Sequence, residues 1–388
     1  MNARRYLSPM PTTVLVDAWH LGGSSANRGI GTYLRGLLPL LARDPSLDLV
    51  CLAEPDARVP DGLRRRRITR RAPNRFAQRE HDLRLPFDLA RAARAERADV
   101  VFSPADNPPS RCARPWVQML HDLIPMAVTD ASFDGAAARW RHIGPRLRAA
   151  SVVCTNSRST AADATRLLGV DPSRVRVAPL GVDARFRPPA ARRVGDPPRV
   201  LYVGEYGPHK GFAEAFAVAG RLADAGLAHR LAMVGFLAPW YEPVVRDLLA
   251  SAPHPERVDL LGYVDDVVAS YQQADALIVT SRYEGFCLPA LEAMACGTPV
   301  VAFANSAIPE VVEGGGLLVP DGDVDALAAT VATVLTDRDA WQKTSDRGIE
   351  QARAFTWERC ARVHADALQE AAATNAPERR RQRPSASR

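Results

Sequence analysis

Short apolar runs alternate with amphipathic segments of helical length almost from end to end of this 388-residue chain. That alternation leaves few architectures open. Strands separated by helices pair in parallel, and the helices then cover both faces of the sheet. In the first half the strand-like runs are Thr13–Trp19, Leu47–Ala53, Asp99–Pro104, Trp116–Leu120 and Ser151–Thr155, with helical patterns at Gly31–Arg43, Gln78–Glu96, Gly135–Ala150 and Ser157–Leu168. A turn-rich, proline-rich stretch at Pro179–Arg199 breaks the rhythm. It restarts with runs at Arg199–Gly204, Arg230–Gly235, Val258–Gly262, Ala276–Thr280 and Pro299–Phe303. The expected fold is α/β: two Rossmann-like parallel-sheet domains facing across a cleft. Residues 1–183 form the first, 184–198 a linker and 199–355 the second. A last helix covers 356–374, and the polar tail 375–388 is expected to be disordered.

The composition narrows the compartment and the partners. No run of about 18 uncharged apolar residues exists, and no apolar stretch precedes the first strand, so neither a membrane span nor a secretory signal is expected. Six cysteines are scattered without a C-x-x-C pair and read as reduced thiols of a cytoplasmic protein. The net charge of +6 comes from two places. Residues 64–79 carry eight arginines and no acid, and the tail 379–388 adds five more, so the remaining body is acidic. Arg64–Arg79 reads as a contact for anionic lipid, an acidic substrate or nucleic acid, as an acceptor loop, or as a solvated loop, which allows peripheral membrane association. Lysine is nearly absent, with only Lys210 and Lys343 against 48 arginines, so a lysine inside a motif stands out.

Three stretches carry chemistry. Tyr283–Val301 reads YEGFCLPALEAMACGTPVV and places Glu284 in a loop at a strand's carboxyl end and Glu292 in the first turn of the next helix. Ionised carboxylates only accept hydrogen bonds, so such a pair can grip the hydroxyls of a polyol. Val203–Phe212, VGEYGPHKGF, sets Lys210 before a helix N-terminus, where the dipole and free N–H groups favour an anion. Gln118–Met126, QMLHDLIPM, puts His121 and Asp122 at another strand end. Asn27–Tyr33, NRGIGTY, opens the first helix with two glycines, but Leu34 stands where a dinucleotide fingerprint needs a third. No D-x-D segment suits a metal clamp. Asp321–Asp323 reads as a turn.

With EGF-x-LP-x-LEAMA-x-G-x-PVV around it, the carboxylate pair resembles the E-x7-E signature of the retaining family 4 glycosyltransferases. RGIG-x-Y and HDLIP are similar to one branch of them, and resembling segments run over roughly residues 13–373. The resemblance implies a GT-B fold, with an acceptor-side first domain, a donor-side second domain and a last helix crossing back onto the first. It implies that Lys210 neutralises the pyrophosphate of a nucleotide sugar and that Gly31 faces those phosphates from the opposite domain. Glu284 then holds the donor sugar and Glu292 the ribose. The backbone of Phe286, Cys287 and Leu288 contacts the donor, while Tyr263 and Val264 lie near the base. His121 contacts the sugar or leaving group. Two residues depart from the family pattern. Glu205 stands where many relatives have arginine, which leaves Arg282, His209 or a loop backbone to supply the missing donor. Cys287 stands where they have glycine, adding bulk near the sugar.

The activity implied is retaining transfer of a hexose, of mannose or rhamnose type, from a nucleotide diphosphate sugar to a glycan, lipid-linked or small-molecule acceptor in polysaccharide assembly. No metal or other cofactor is required and no nucleic acid is expected as a partner. Competing readings are a 2-epimerase on the same scaffold, a non-catalytic sugar-nucleotide sensor, and a membrane or nucleic-acid adaptor built on Arg64–Arg79. The last predicts steep salt dependence.

Overall fold

The computed structural model describes residues 10–22, 29–68, 74–109, 112, 114–191 and 195–374. The chain forms two parallel sheets in succession. The first contains β1 (Thr12–Asp17), β2 (Leu47–Ala53), β3 (Arg64–Arg67), β4 (Val100–Ser103), β5 (Trp116–Leu120), β6 (Val152–Thr155) and β7 (Val175–Val177), in the order β3-β2-β1-β4-β5-β6-β7. The second contains β8 (Arg199–Val203), β9 (Arg230–Val234), β10 (Val258–Gly262), β11 (Ala276–Val279), β12 (Val300–Phe303) and β13 (Leu317–Val319), in the order β10-β9-β8-β11-β12-β13. Every pairing is parallel. Strands covered on both faces need no polar alternation, and β4, β5, β6, β11 and β12 are buried at every residue.

Strand order reverses between β1 and β4 in the first sheet and between β8 and β11 in the second. Loops leaving those strands diverge and open a crevice, which is where ligands bind in open α/β sheets. The last helix, Trp357–Ala373, buries Cys360, His364, Leu368 and Ala371 and packs on the first sheet and on the helix Gly29–Leu41. A Cβ at Gly36 would overlap the Trp357 indole, so only glycine lets that ring seat against the first helix.

The structure differs from the expectation at three strands, and the reasons are physical. β7 and β13 have three residues each, too few to show a period. β3 consists of four arginines and pairs with β2 on one side only. Arg64 bridges Asp48 at 2.8 Å, Arg66 bridges Glu96 at 2.7 Å, and Arg65 donates to the carbonyls of Pro55 and Ala57 at 3.0 and 2.6 Å. Reading the whole basic segment as a solvated loop is therefore corrected at Arg64–Arg67. Charge on an edge strand also discourages pairing with a second chain. The following helix begins at Asn74. Residues 69–73, the side chains of 74–79 and the tail 375–388 lie outside the described residues. Among the described residues no helix is long and apolar enough to cross a membrane, and all six cysteines are free thiols.

Candidate active site

The second domain brings two distant motifs into contact at its switch point. After β8 the chain runs through a tight turn, Pro208–Lys210, and Gly211 (φ 63°) starts the helix Phe212–Asp224. After β11 it passes through Ser281 and Glu284 to the helix Leu288–Ala295. Lys210 Nζ lies 2.8 and 2.9 Å from the two oxygens of Glu284, and Ser281 Oγ donates to Oε1 at 2.6 Å. Burial opposes the lysine's charge, but the charge and hydrogen bonds of Glu284 outweigh it and raise its pKa. The backbone N–H of Glu284 is held by Ser306 Oγ at 2.8 Å, with Ser306 in the left-handed region at φ 45°.

Glu292 sits one turn inside its helix, which begins at Leu288, and not in the first turn. Tyr271 Oη donates to its Oε2 at 2.8 Å. Burial pushes its carboxyl up to about 7, further than that hydrogen bond and Arg185 lower it. With Leu288 it lines a cavity of about 240 Å³ shared with Thr32, Arg35, Arg185 and Trp357. Cys287 is the residue before that helix, at φ 82°, which explains why glycine suits this position. The residue is 3% exposed and packs in the core, close enough to Glu284 and Lys210 for their charges to act on its thiol. No side chain caps the helix start; the N–H groups of Ala290 and Leu291 turn back to the Cys287 carbonyl at 3.2 and 3.4 Å, and Pro289 has none. The Phe286 ring is buried edge-on against Phe355, so only its backbone is available to a ligand.

Across the cleft, His121 follows β5. Its Nε2 is 2.8 Å from the Pro104 carbonyl, which only accepts, so the proton is on Nε2 and Nδ1 keeps a lone pair. Burial pushes this imidazole down to about 4, overriding that hydrogen bond, and it is neutral. Its backbone N–H donates to Asp106 at 3.0 Å. Burial, and then the charge of Asp122, push the Asp106 carboxyl up; burial also raises Asp122. Tyr33 meets the His121 ring edge-on at 5.0 Å, and its Oη donates to His364 Nε2 at 2.6 Å. Gly31 is buried two residues before Tyr33.

The two sides touch. A Cβ at Gly285 would overlap the His121 carbonyl oxygen, so the loop carrying Glu284 lies directly on the HDLIP turn. Ser157 Oγ donates to the Gly285 carbonyl at 2.7 Å, and Tyr283 Oη donates to Asp163. Glu310 of the second domain accepts from the backbone N–H groups of Arg158 and Ser159 at 2.8 and 2.7 Å, completing the N-terminus of the first domain's helix Arg158–Leu168.

The fold thus groups Lys210, Glu284, Cys287 and His121, and places Glu292 and Leu288 in an adjoining cavity. Tyr263 follows β10, is 61% exposed and lies close enough to Arg35 to influence it. Val264 packs partly buried against the core. Of the groups considered for the role vacated by Glu205, Arg282 is held by Glu214 at 2.6 Å, and burial pushes His209 down to about 4. Asp106, Ser281, Ser157 and Glu310 escaped the sequence reading. Asp106 had a usable signal, since it follows β4 as His121 follows β5.

Two parallel-sheet domains meeting at their switch points define a GT-B glycosyltransferase architecture. A model of group 1 glycosyl transferases matches residues 184–355, and a model of glycosyltransferase family 4 matches residues 27–186. A D-inositol 3-phosphate glycosyltransferase of Kribbella flavida is 31% identical over 69% of this chain and 68% of its own. The chain belongs to the family 4-type glycosyltransferases. The O-antigen chain mannosyltransferase B of Escherichia coli is 35% identical over 41% of this chain and 42% of its own, and the chain spans about half the length of the first curated relatives it matches. The fold also resembles sucrose-phosphate synthase from Thermosynechococcus elongatus, with a TM-score of 0.76, 22% identity, and 94% of this chain and 100% of that one covered.

Proposed function

We propose that this protein is a retaining hexosyltransferase. It takes a hexose, of mannose or rhamnose type, from a nucleotide diphosphate sugar to a glycan, lipid-linked or small-molecule acceptor. The observation that carries the reading is the two-oxygen pairing of Lys210 with Glu284 at the second sheet's switch point, on a loop that lies against the His121 carbonyl. Glu284 accepts the sugar's hydroxyls. Lys210 stabilises charge growing on the departing diphosphate, an interaction stronger in the transition state than before it. His121 accepts a sugar hydroxyl at Nδ1; at about 4 its pKa is too low for a general base at neutral pH. Glu292 takes the ribose, the backbone of Phe286–Leu288 and the helix start at Gly31 approach the phosphates, and Tyr263 and Val264 flank the base. The acceptor hydroxyl attacks from the leaving-group side and gives its proton to a diphosphate oxygen, so the anomeric configuration is kept without a metal. The mannose preference draws on the mannosyltransferase relative. Peripheral contact with an anionic membrane falls to the part of Arg64–Arg79 beyond Arg66, because Arg64, Arg65 and Arg66 are engaged within the fold.

The test is transfer from GDP-mannose, dTDP-rhamnose and UDP-glucose to oligosaccharide and lipid-linked acceptors in EDTA, with the product's anomeric configuration read by proton NMR. Retained configuration with release of the nucleoside diphosphate is expected. An inverted product would refute the mechanism. Binding without transfer to any acceptor would favour a sensor, and binding to none of the three donors would favour an adaptor.

A further inference from the structure

Glu284 lies between two residues that the first domain holds. Tyr283, immediately before it, donates its Oη to Asp163 Oδ2. The carbonyl of Gly285, immediately after it, accepts from Ser157 Oγ at 2.7 Å and lies 3.3 Å from Thr160 Oγ1. Ser157 is the N-cap of the helix Arg158–Leu168, and Thr160 and Asp163 follow at intervals of three, so the polar groups share one face of that helix. All three are buried, as is Tyr283. The segment after β12 ties the same parts together from the other side. Ser306 Oγ accepts from the Glu284 N–H at 2.8 Å, the Ala307 N–H reaches the Glu284 carbonyl at 3.4 Å, and Glu310 caps the first-domain helix.

Buried polar groups are costly unless their hydrogen bonds are made, and apolar side chains would hold two domains together as well. What a polar helix face adds is direction. Asp163 uses Oδ1 to accept from Arg166 at 2.5 Å, which leaves Oδ2 for Tyr283. Burial, and then Asp163 itself, push the Tyr283 phenol up, so it keeps its proton and donates. The Glu284 carboxylate has partners of its own on the second domain, Lys210 and Ser281. The chain on either side of it is set by the first.

We propose that Asp163 and Tyr283 are positioning residues for Glu284: the first domain's helix, docked on residues 283–285, holds that carboxylate at the angle the donor sugar requires. This rests on the reading of Glu284 as the residue that grips the sugar. Both residues act through Glu284, so transfer needs them, whereas a nucleoside diphosphate, which has no sugar, binds without them.

The test is steady-state transfer from GDP-mannose, dTDP-rhamnose and UDP-glucose, with calorimetric titration of GDP, dTDP and UDP and a melting temperature for each protein. The variants are Tyr283→Phe, Asp163→Ala, the two combined, Asp163→Asn and Arg166→Ala. Tyr283→Phe and Asp163→Ala should each lower kcat about tenfold, the range for one hydrogen bond to a charged group, and leave diphosphate affinity unchanged. The combined variant should lose no more than either alone, because both changes remove the same bond. Asp163→Asn keeps an acceptor for Tyr283 and should recover most of the loss. Arg166→Ala removes an ion pair whose arginine is largely exposed and should transfer normally. The proposal is overturned if Tyr283→Phe and Asp163→Ala transfer normally, if their losses multiply, or if diphosphate affinity falls as far as kcat, as general loosening of the domains would cause. Failure of the donor reading looks different: the wild type then transfers from none of the donors, or Glu284→Gln costs nothing, and the proposal falls with it.

Discussion

On the second domain's side of the cleft, one stretch of twelve residues supplies Ser281, Glu284, Leu288 and Glu292, and Lys210 pairs with Glu284 from outside it. On the acceptor side the polar groups come one at a time from separate elements. Asp17 ends β1, and its buried carboxylate meets His81 of the helix Asn74–Ala95 at 3.3 Å. Trp19 stacks on that imidazole at 4.4 Å, Asp106 follows β4, and His121 follows β5. The electrostatics differ as well. The second domain pairs Lys210 with Glu284, while on the other side burial drives His121 down and the Asp106 carboxyl up.

The largest effect expected from that contrast is at Lys210. Lys210→Ala should lower kcat/KM by about 10²–10³-fold, the range for losing one preorganised donor to a developing anion. His121→Gln should cost about tenfold, the range for one neutral hydrogen bond. Equal losses in steady-state assays would erase the distinction between the two sides.

Gly285→Ala tests whether the sides must touch. Its Cβ would strike the His121 carbonyl and wedge the loop away from the HDLIP turn. Activity should fall about 10²-fold, as expected for a displacement of about 1 Å. Unchanged circular dichroism with a larger radius of gyration in solution scattering would confirm separation of two intact domains. Unchanged activity would show that contact at Gly285 is not needed.

Glu292 makes the contrast depend on pH. With its carboxyl raised to about 7, its ionised, acceptor-only form grows as pH rises through 7. Donor affinity should rise about tenfold between about pH 6 and 8, and Glu292→Gln should abolish the slope. The same shift has the opposite sign for stability of the unliganded protein. The unfolded carboxyl ionises near 4.5, so this residue's contribution declines as pH rises from there through 7. A donor affinity independent of pH would remove Glu292 from the ribose.

Glu310→Ala should have the smallest effect. It removes the cap that crosses the cleft and should cost about 1 kcal/mol, the usual range for a lost helix cap. A melting temperature lowered by a few degrees, with donor affinity reduced less than tenfold, is the expected result. No change in either would show that the cap does not hold the domains together.

The donor half was legible because its chemistry is local. The spacing from Glu284 to Glu292 is set by one loop and one helical turn, so their placement can be read along the chain. Lys210 was visible as a rare residue before a helix start. The acceptor half was only partly legible. His121 and Asp122 stood out at a strand end, but Asp106 did not, and nothing local marks Glu310 as the cap of a helix some 150 residues earlier in the chain. The strand β3 was not visible for the same reason, because four charges in a row show no apolar period and their partners Asp48 and Glu96 lie elsewhere in the chain.

The amino-acid sequence alone determined two parallel α/β sheets, their order along the chain and the motif carrying Glu284 and Glu292. Those follow from apolar periodicity and short-range spacing, which are properties of neighbouring residues. Tertiary structure decided that Lys210 lies against Glu284, that Cys287 is buried, that His121 is neutral and that arginines from the first helix and the joining segment enter the Glu292 cavity. Each of these depends on what burial and distant charges do to a side chain, and that is settled only when remote segments pack.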